Sequence, residues 1–324
     1  MKGSISMNLY NYQPEKPFAQ KHLLSLQSYS PDEICQVVSL GLKLKEQQKN
    51  NIKHPLLQGK TLAMIFSKSS TRTRVSFEVG MYQLGGKALF LSSSDIQLGR
   101  GETISDTAQV LSRYVDGIMI RTFKQSDVED LAKYGTIPVI NALTDLLHPC
   151  QALADIMTIY EKKHAWKWLK LAFIGDGNNV AHSLMIACSK IGMDFSISCP
   201  AGYEPDEQIT ASAKQNAEIS GSKITITHDP KEAINGADAV YTDVWSSMGQ
   251  EAEIEERKQV FAPYQVNSSL FSLAKPDAIF LHCLPAHRGE EVTEDIIDGP
   301  NSVVFDEAEN RLHVQKAILA LLLK

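Results

Sequence analysis

In the stretch SKSSTRTRVSFEVG (67–80), Ser70, Thr71, Arg72 and Thr73 place three hydroxyls and a guanidinium in four consecutive residues. The stretch follows the apolar run TLAMIF (61–66) directly and opens a helix-like pattern with Val75, Val79 and Tyr82 at its apolar positions. At a helix N-terminus, free N–H groups and the positive end of the dipole attract an anion, hydroxyls add donors, and a planar arginine fork holds two oxygens at once. That chemistry suits a phosphate. The stretch is not a P-loop, whose paired glycines are missing. An ordinary capped helix start with solvated arginines is the other reading of the same letters.

Further groups of this kind fall at other strand ends. HPCQ (148–151) sets His148 at a cap and Pro149 at a first helical position, where a neutral imidazole can donate to a carbonyl oxygen that gains charge; a purely structural cap is the alternative. Arg121 closes the apolar run GIMIRT (117–122). FIGDGNNVAHS (173–183) has the outline of a dinucleotide-binding turn, but Val180 stands at the third glycine and the next strand, DFSISCP, brings no acid for a ribose. A nicotinamide cofactor is therefore not expected, and the amides Asn178 and Asn179 suit a carboxylate or another small polar group. In YTDVWSSMGQE (241–251), Asp243 can hold an ammonium while Trp245 or Met248 packs on an aliphatic chain, unless the segment is a plain surface loop. LHCLPAHRGEEV (281–292) gathers His282, Cys283, His287 and Arg288 at no standard zinc spacing, and nothing in the sequence shows a base placed to activate Cys283.

The elements that must position these residues read as α/β. TLAMIF, KALFLS, GIMIRT and IPVINAL alternate with helical patterns, and after the long helical stretch HPCQALADIMTIYEKKHAWKW the layout repeats with LKLAFIG, DFSISCP, ADAVYTDVW and DAIFLHCLP. The expectation is two lobes, each a parallel sheet flanked by helices, with ligands at the carboxyl edges of the strands. The chain of 324 residues has room for both. Ser30 and Pro31 begin a scaffold helix, and the tail AENRLHVQKAILALLLK, apolar at helical spacing, must dock on a neighbour. The polar N-terminal arm lacks the apolar core of a secretory signal, and five scattered cysteines fit reduced thiols in a cytoplasm. No apolar run suits a membrane span, and a net charge of −6 without a basic stripe offers nucleic acid no footprint.

Taken together and in this order, SSTRTR, HPCQ, DVWSSMGQE and HCLPAHRGEEV resemble the aspartate and ornithine carbamoyltransferase family, from about residue 22 to the C-terminus. The first two boxes are shared by both types of the family, whereas the Ser-Met-Gly loop and His-Cys-Leu-Pro belong to the ornithine type. By this resemblance Ser70, Thr71, Arg72 and Thr73 bind the phosphate of carbamoyl phosphate, and Arg121, His148 and Gln151 bind its phosphate and carbamoyl group. Gln97, in DIQLGRGE, would reach the active site of a neighbouring subunit in a homotrimer. Asn179, Asp243, Ser247 and Met248 would bind L-ornithine, Cys283 and Leu284 would lie between the two substrates, and Arg311 would be the arginine returned by the tail. Arg72, Arg121, His148 and Cys283 are the expected catalytic residues.

The implied reaction gives L-citrulline and phosphate in arginine metabolism, with no metal or organic cofactor and with lobe closure to place the reactants. Residues 1–150 with helix 308–324 would form the carbamoyl phosphate-binding domain, and 151–307 the ornithine-binding domain. One letter departs from the family pattern: Ser67 stands where Phe-Glu-Lys has its acid.

Overall fold

The computed structural model describes residues 8–93, 101–246 and 253–324. They divide into two compact units: the described residues before Thr158 together with Glu309–Lys324, and Thr158–Ala308.

The first unit opens with α1 (Pro31–Lys49), where Ser30 and Glu33 form a reciprocal capping box behind Pro31 at the first helical turn. There follow β1 (Thr61–Phe66), α2 (Thr71–Gln83), β2 (Lys87–Ser92), α3 (Ile104–Tyr114), β3 (Gly117–Arg121), α4 (Gln125–Tyr134), β4 (Val139–Leu143) and the start of α5 (Pro149–Lys163). All pairs are parallel, in the order β2-β1-β3-β4, so the carboxyl ends of the strands share one edge. Ala63, Ile65, Ile118, Ile120 and Val139 pack with Ala108 of α3 and with Val128 and Leu131 of α4. Pairing of β3 with β4 slips between Ile120, opposite Asn141, and Arg121, opposite Leu143. Such an irregularity re-aims a side chain at the end of a strand.

In α2 the apolar face differs from the sequence reading. Val75 and Tyr82 are exposed, and the buried side is Thr73, Phe77, Gly80 and Met81, a spacing of four, three and one that also follows a helix face. The reason is α12 (Val304–Leu322), whose Lys316, Leu312 and Leu319 lie against Gly80. A Cβ on Gly80 would stand 3.3 Å from Lys316 Cγ, so the missing side chain is what lets the two helices approach. The C-terminal helix thus docks on the first unit, as its apolar spacing requires.

The second unit contains β5 (Lys170–Ile174), α6 (Asn179–Ile191), β6 (Asp194–Ser198), α7 (Glu207–Ser220), β7 (Ile224–Thr227), α8 (Pro230–Ile234), β8 (Ala239–Thr242), α9 (Ile254–Phe261), α10 (Ser268–Phe271), β9 (Ile279–Leu281) and α11 (Glu294–Ile297). Its sheet is also parallel, in the order β7-β6-β5-β8-β9. The β7 segment ITIT has no apolar run and is half-buried throughout, because it lies at the edge of the sheet; its short alternation of β-branched residues is a strand signal that a reading of apolar runs passes over. Among the described residues, no helix is long and apolar enough to cross a membrane.

Candidate active site

In the first unit, chemistry collects at the carboxyl edge of the sheet. Ser70 caps α2 in extended backbone: its Oγ accepts from Thr73 N–H at 3.3 Å and donates to Thr73 Oγ1 at 3.1 Å. This draws Thr73 into the interior and leaves Thr71 and Arg72 exposed on the first turn. Arg121 is buried at the end of β3, and its carbonyl accepts from Ser67 N–H at 2.8 Å. Position 67, where the resemblance led one to expect an acid, thus ties the start of the SSTRTR segment to β3 through its backbone. The following Lys68 is buried, pairs with Asp145 at 2.5 Å and lies over the Phe123 ring.

His148 is buried just ahead of α5, and its carbonyl accepts from Gln151 and Ala152 N–H. Burial holds its imidazole well below the usual range, and the positive charges of Arg311, Arg121 and Arg72 add to the effect. The ring is therefore neutral near pH 7. Arg311, from α12, is also buried: Nη1 donates to Gln151 Oε1 at 2.6 Å and Nη2 to Thr73 Oγ1 at 3.3 Å. Arg311 is 160 positions from Gln151 and 238 from Thr73, and only the docking of α12 unites them. Cys150, beside His148, is inert by comparison, since burial pushes its thiol up to about 12.

In the second unit, Asn178 caps α6 with Oδ1, which accepts from Val180 and Ala181 N–H, and its Nδ2 donates to Asp243 Oδ2 at 2.9 Å. Asp243, just past the end of β8, is buried; its Oδ1 accepts from Cys283 Sγ at 3.1 Å and from Val244 N–H. A Cβ on the neighbouring Gly177 would lie 2.3 Å from Pro205 N, so only glycine lets this turn close. Leu284 takes the left-handed conformation, φ 58°, with its N–H donated to His282 Nδ1. His282 Nε2 meets Glu291 Oε1, and its own N–H is held by Glu307. Asp243, His282 and Cys283 offer metal-ligand atoms within 4.8 Å of one another. All three are already engaged within the protein: both ring nitrogens of His282, both oxygens of Asp243 and the Cys283 thiol take part in hydrogen bonds.

Two family models cover nearly the whole chain. Residues 21–161 match the carbamoyl-P binding domain of aspartate/ornithine carbamoyltransferase, and residues 167–322 match its Asp/Orn binding domain. The chain belongs to the aspartate/ornithine carbamoyltransferase family. It is 62% identical over 303 residues to the ornithine carbamoyltransferase of Pyrococcus abyssi, which covers 94% of this chain and 96% of that one. It is 61% identical over 305 residues to the anabolic ornithine carbamoyltransferase of Pyrococcus furiosus, covering 94% and 97%. The solved ornithine carbamoyltransferase of Pyrococcus furiosus superposes with a TM-score of 0.93 at 60% identity, covering 95% of this chain and 98% of that one.

Within this carbamoyltransferase, Ser70, Thr73, Arg121, His148, Gln151 and Arg311 converge in the first unit with Arg72 near them, and Asp243 and Cys283 meet in the second. Asn179 opens α6, half-buried beside the Asn178 that holds Asp243. Gln97, Ser247 and Met248 lie outside the described residues. Sequence reasoning missed Asp176 and Arg257. The Arg257 guanidinium reaches Asp176 at 3.0 Å and the Trp245 carbonyl at 2.8 Å, while its Nε donates to Glu253. Burial raises the Asp176 carboxyl to about 6 even though Arg257 opposes the shift. In EIEERK, Arg257 looks like one charge on a solvated helix face; stacking on Tyr203 and Phe261 is what buries it.

Proposed function

We propose that this enzyme transfers the carbamoyl group of carbamoyl phosphate to the δ-amine of L-ornithine, giving L-citrulline and phosphate. The observation that carries the reading is the buried Arg311, bonded to Gln151 and to Thr73 at the capped N-terminus of α2, with a buried neutral His148 that feels the charges of Arg311, Arg121 and Arg72. Such a group neutralises a phosphate and still has a donor for a carbonyl oxygen that becomes negative in the tetrahedral intermediate. In the reaction the δ-nitrogen forms the new C–N bond, the C–O bond to phosphate breaks, and the departing phosphate accepts the proton that the nitrogen loses. A free alkylamine with a pKa of roughly 10 is mostly protonated at neutral pH, so the site must take ornithine with a neutral δ-amine. Asp243, fixed by Asn178 and Cys283, is then a ready partner for the α-ammonium, with Asn179, Ser247 and Met248 completing that subsite and Cys283 and Leu284 the segment next to the carbamoyl group.

On this reading residues 1–150 with 308–324 bind carbamoyl phosphate, joined by Gln151 at the start of the following segment, and the rest of 151–307 binds ornithine. The chain acts as a cytoplasmic homotrimer in arginine biosynthesis, with Gln97 serving a neighbouring site. The names of the relatives and the DVWSSMGQE loop favour ornithine over other acceptors. A colorimetric citrulline assay comparing ornithine, putrescine and N-acetylornithine, with aspartate followed by phosphate release, tests the choice. Ornithine should lead by orders of magnitude in kcat/KM, and a higher value for any other amine would sink the proposal.

A further inference from the structure

We propose that Asp155 is a positioning residue that fixes the amide of Gln151 and thereby the selectivity for a carbamoyl over another acyl phosphate; this rests on the reading of Gln151 as a carbamoyl phosphate ligand. Asp155 lies one turn beyond Gln151 on α5, and both are fully enclosed. Gln151 Nε2 donates to Asp155 Oδ1 at 2.7 Å, and Gln151 Oε1 accepts from Arg311 Nη1 at 2.6 Å. The chain of bonds continues through Arg311 Nη2 to Thr73 Oγ1 and on to Ser70 at the N-terminus of α2.

A glutamine amide can face either way, because one end accepts and the other donates. Here both neighbours impose the same choice: a carboxylate only accepts and a guanidinium only donates. The amide therefore turns its oxygen toward Arg311, Thr73 and the anion-binding end of α2. An acceptor in that position matches the NH2 of carbamoyl phosphate. It has nothing to bond in acetyl phosphate, which carries the same phosphate and carbonyl but a methyl in place of the amine. A site built to pair a polar group rejects an analogue that lacks it far more strongly than a site that merely encloses it. Arg311 enforces the orientation only while it stays on Gln151, and an arriving phosphate competes for its guanidinium. From then on Asp155 holds the oxygen in place. The carboxylate does this without touching the substrate.

The test uses Asp155→Asn, which keeps the volume but offers a donor as well as an acceptor, and Asp155→Ser as a second variant. Steady-state assays give kcat/KM for carbamoyl phosphate, with Ki for acetyl phosphate and for inorganic phosphate as competitors. Both variants should lose about 10- to 100-fold in kcat/KM for carbamoyl phosphate, the scale of one buried acceptor left unpaired. The two Ki values should move less than about threefold, so selectivity against acetyl phosphate falls. In a double-mutant cycle, Asp155→Asn added to Gln151→Met should cost less than about twofold further, because the carboxylate acts through the amide. Retained selectivity, a phosphate Ki that rises in step with the carbamoyl phosphate KM, or additive losses in the cycle would each overturn the proposal. If Gln151→Met alone leaves carbamoyl phosphate kinetics intact, the underlying assignment of Gln151 fails and this inference with it, whereas the citrulline assay judges the overall reaction independently.

Discussion

Arg72 is exposed on the first turn of α2, yet its charge still bears on the buried His148. An exposed guanidinium whose charge is felt at the imidazole can also act on an incoming phosphate, and removing it should hurt the transition state more than the fold. Arg72→Met is expected to lower kcat by about 10²- to 10³-fold and to raise the KM for carbamoyl phosphate, the scale of one lost oxyanion donor; wild-type steady-state kinetics would show the phosphate to be held elsewhere. Asp243→Asn keeps the size but removes the charge and weakens the bond to Asn178. The KM for ornithine should rise by about 10- to 100-fold with carbamoyl phosphate binding near normal, and a parallel loss of both would mean a misfolded second unit. His148 carries a pH signature. Its folded pKa is depressed, so the unfolded chain takes up a proton first as the pH falls. The related stability is fully present above about 6.5, the unfolded value, and is lost below it. His148→Gln should therefore lose less thermal stability between pH 7 and pH 5 than the wild type, as read by melting curves.

Among the elements, α12 is where sequence and structure diverge in a useful way. The strands TLAMIF and GIMIRT are legible because burial on a parallel sheet demands continuous apolar runs, DFSIS by its alternation, and KALFLS because it keeps an apolar run although it is an edge strand with Leu89 and Phe90 exposed. HPCQ and SSTRTR are legible because caps and first-turn prolines are local. The buried face of α2 was not, since α12 chose it from more than 230 residues away through Gly80 and Lys316. Asp155 was invisible for the same reason: ALAD reads as ordinary helix until the amide of Gln151 is seen between it and Arg311. Lys316 itself is fully buried, donates to Gln83 Oε1 at 2.8 Å, and has its ammonium pulled down to about 8 by desolvation. Below pH 8 both folded and unfolded chains are charged and the desolvation cost is complete. Between about 8 and 10.5 the folded lysine gives up its proton first, and the cost fades as the pH rises. Lys316→Met should thus stabilise the first unit by about 1 to 3 kcal/mol at pH 7, with the gain shrinking toward pH 10. Denaturant titrations at the two pH values measure it, and an equal gain at both would mean that packing, not charge, sets the difference.

For the molecule as a whole, the surface of the first unit speaks for association. Val75 and Tyr82 of α2, Leu89 and Phe90 of β2, and Val110 and Tyr114 of α3 are exposed, and β2 is the edge strand of its sheet. Apolar side chains around an edge strand are a liability for an isolated chain and a resource for a closed oligomer. In the proposed homotrimer each site draws Arg72 from one subunit and Gln97 from the next, and this makes a complementation test decisive. Arg72→Met and Gln97→Ala, each nearly inactive alone, are mixed, dissociated and reassembled. A ring containing both kinds of subunit then has one junction where an intact Arg72 meets an intact Gln97, whichever kind is in the majority. Random reassembly makes about three-quarters of the rings mixed, so about a quarter of wild-type activity should return. The recovered fraction should run as a trimer by light scattering. Should the mixture stay as inactive as its parents although mixed trimers form, Gln97 would serve its own subunit, and the active sites of the assembly would be independent.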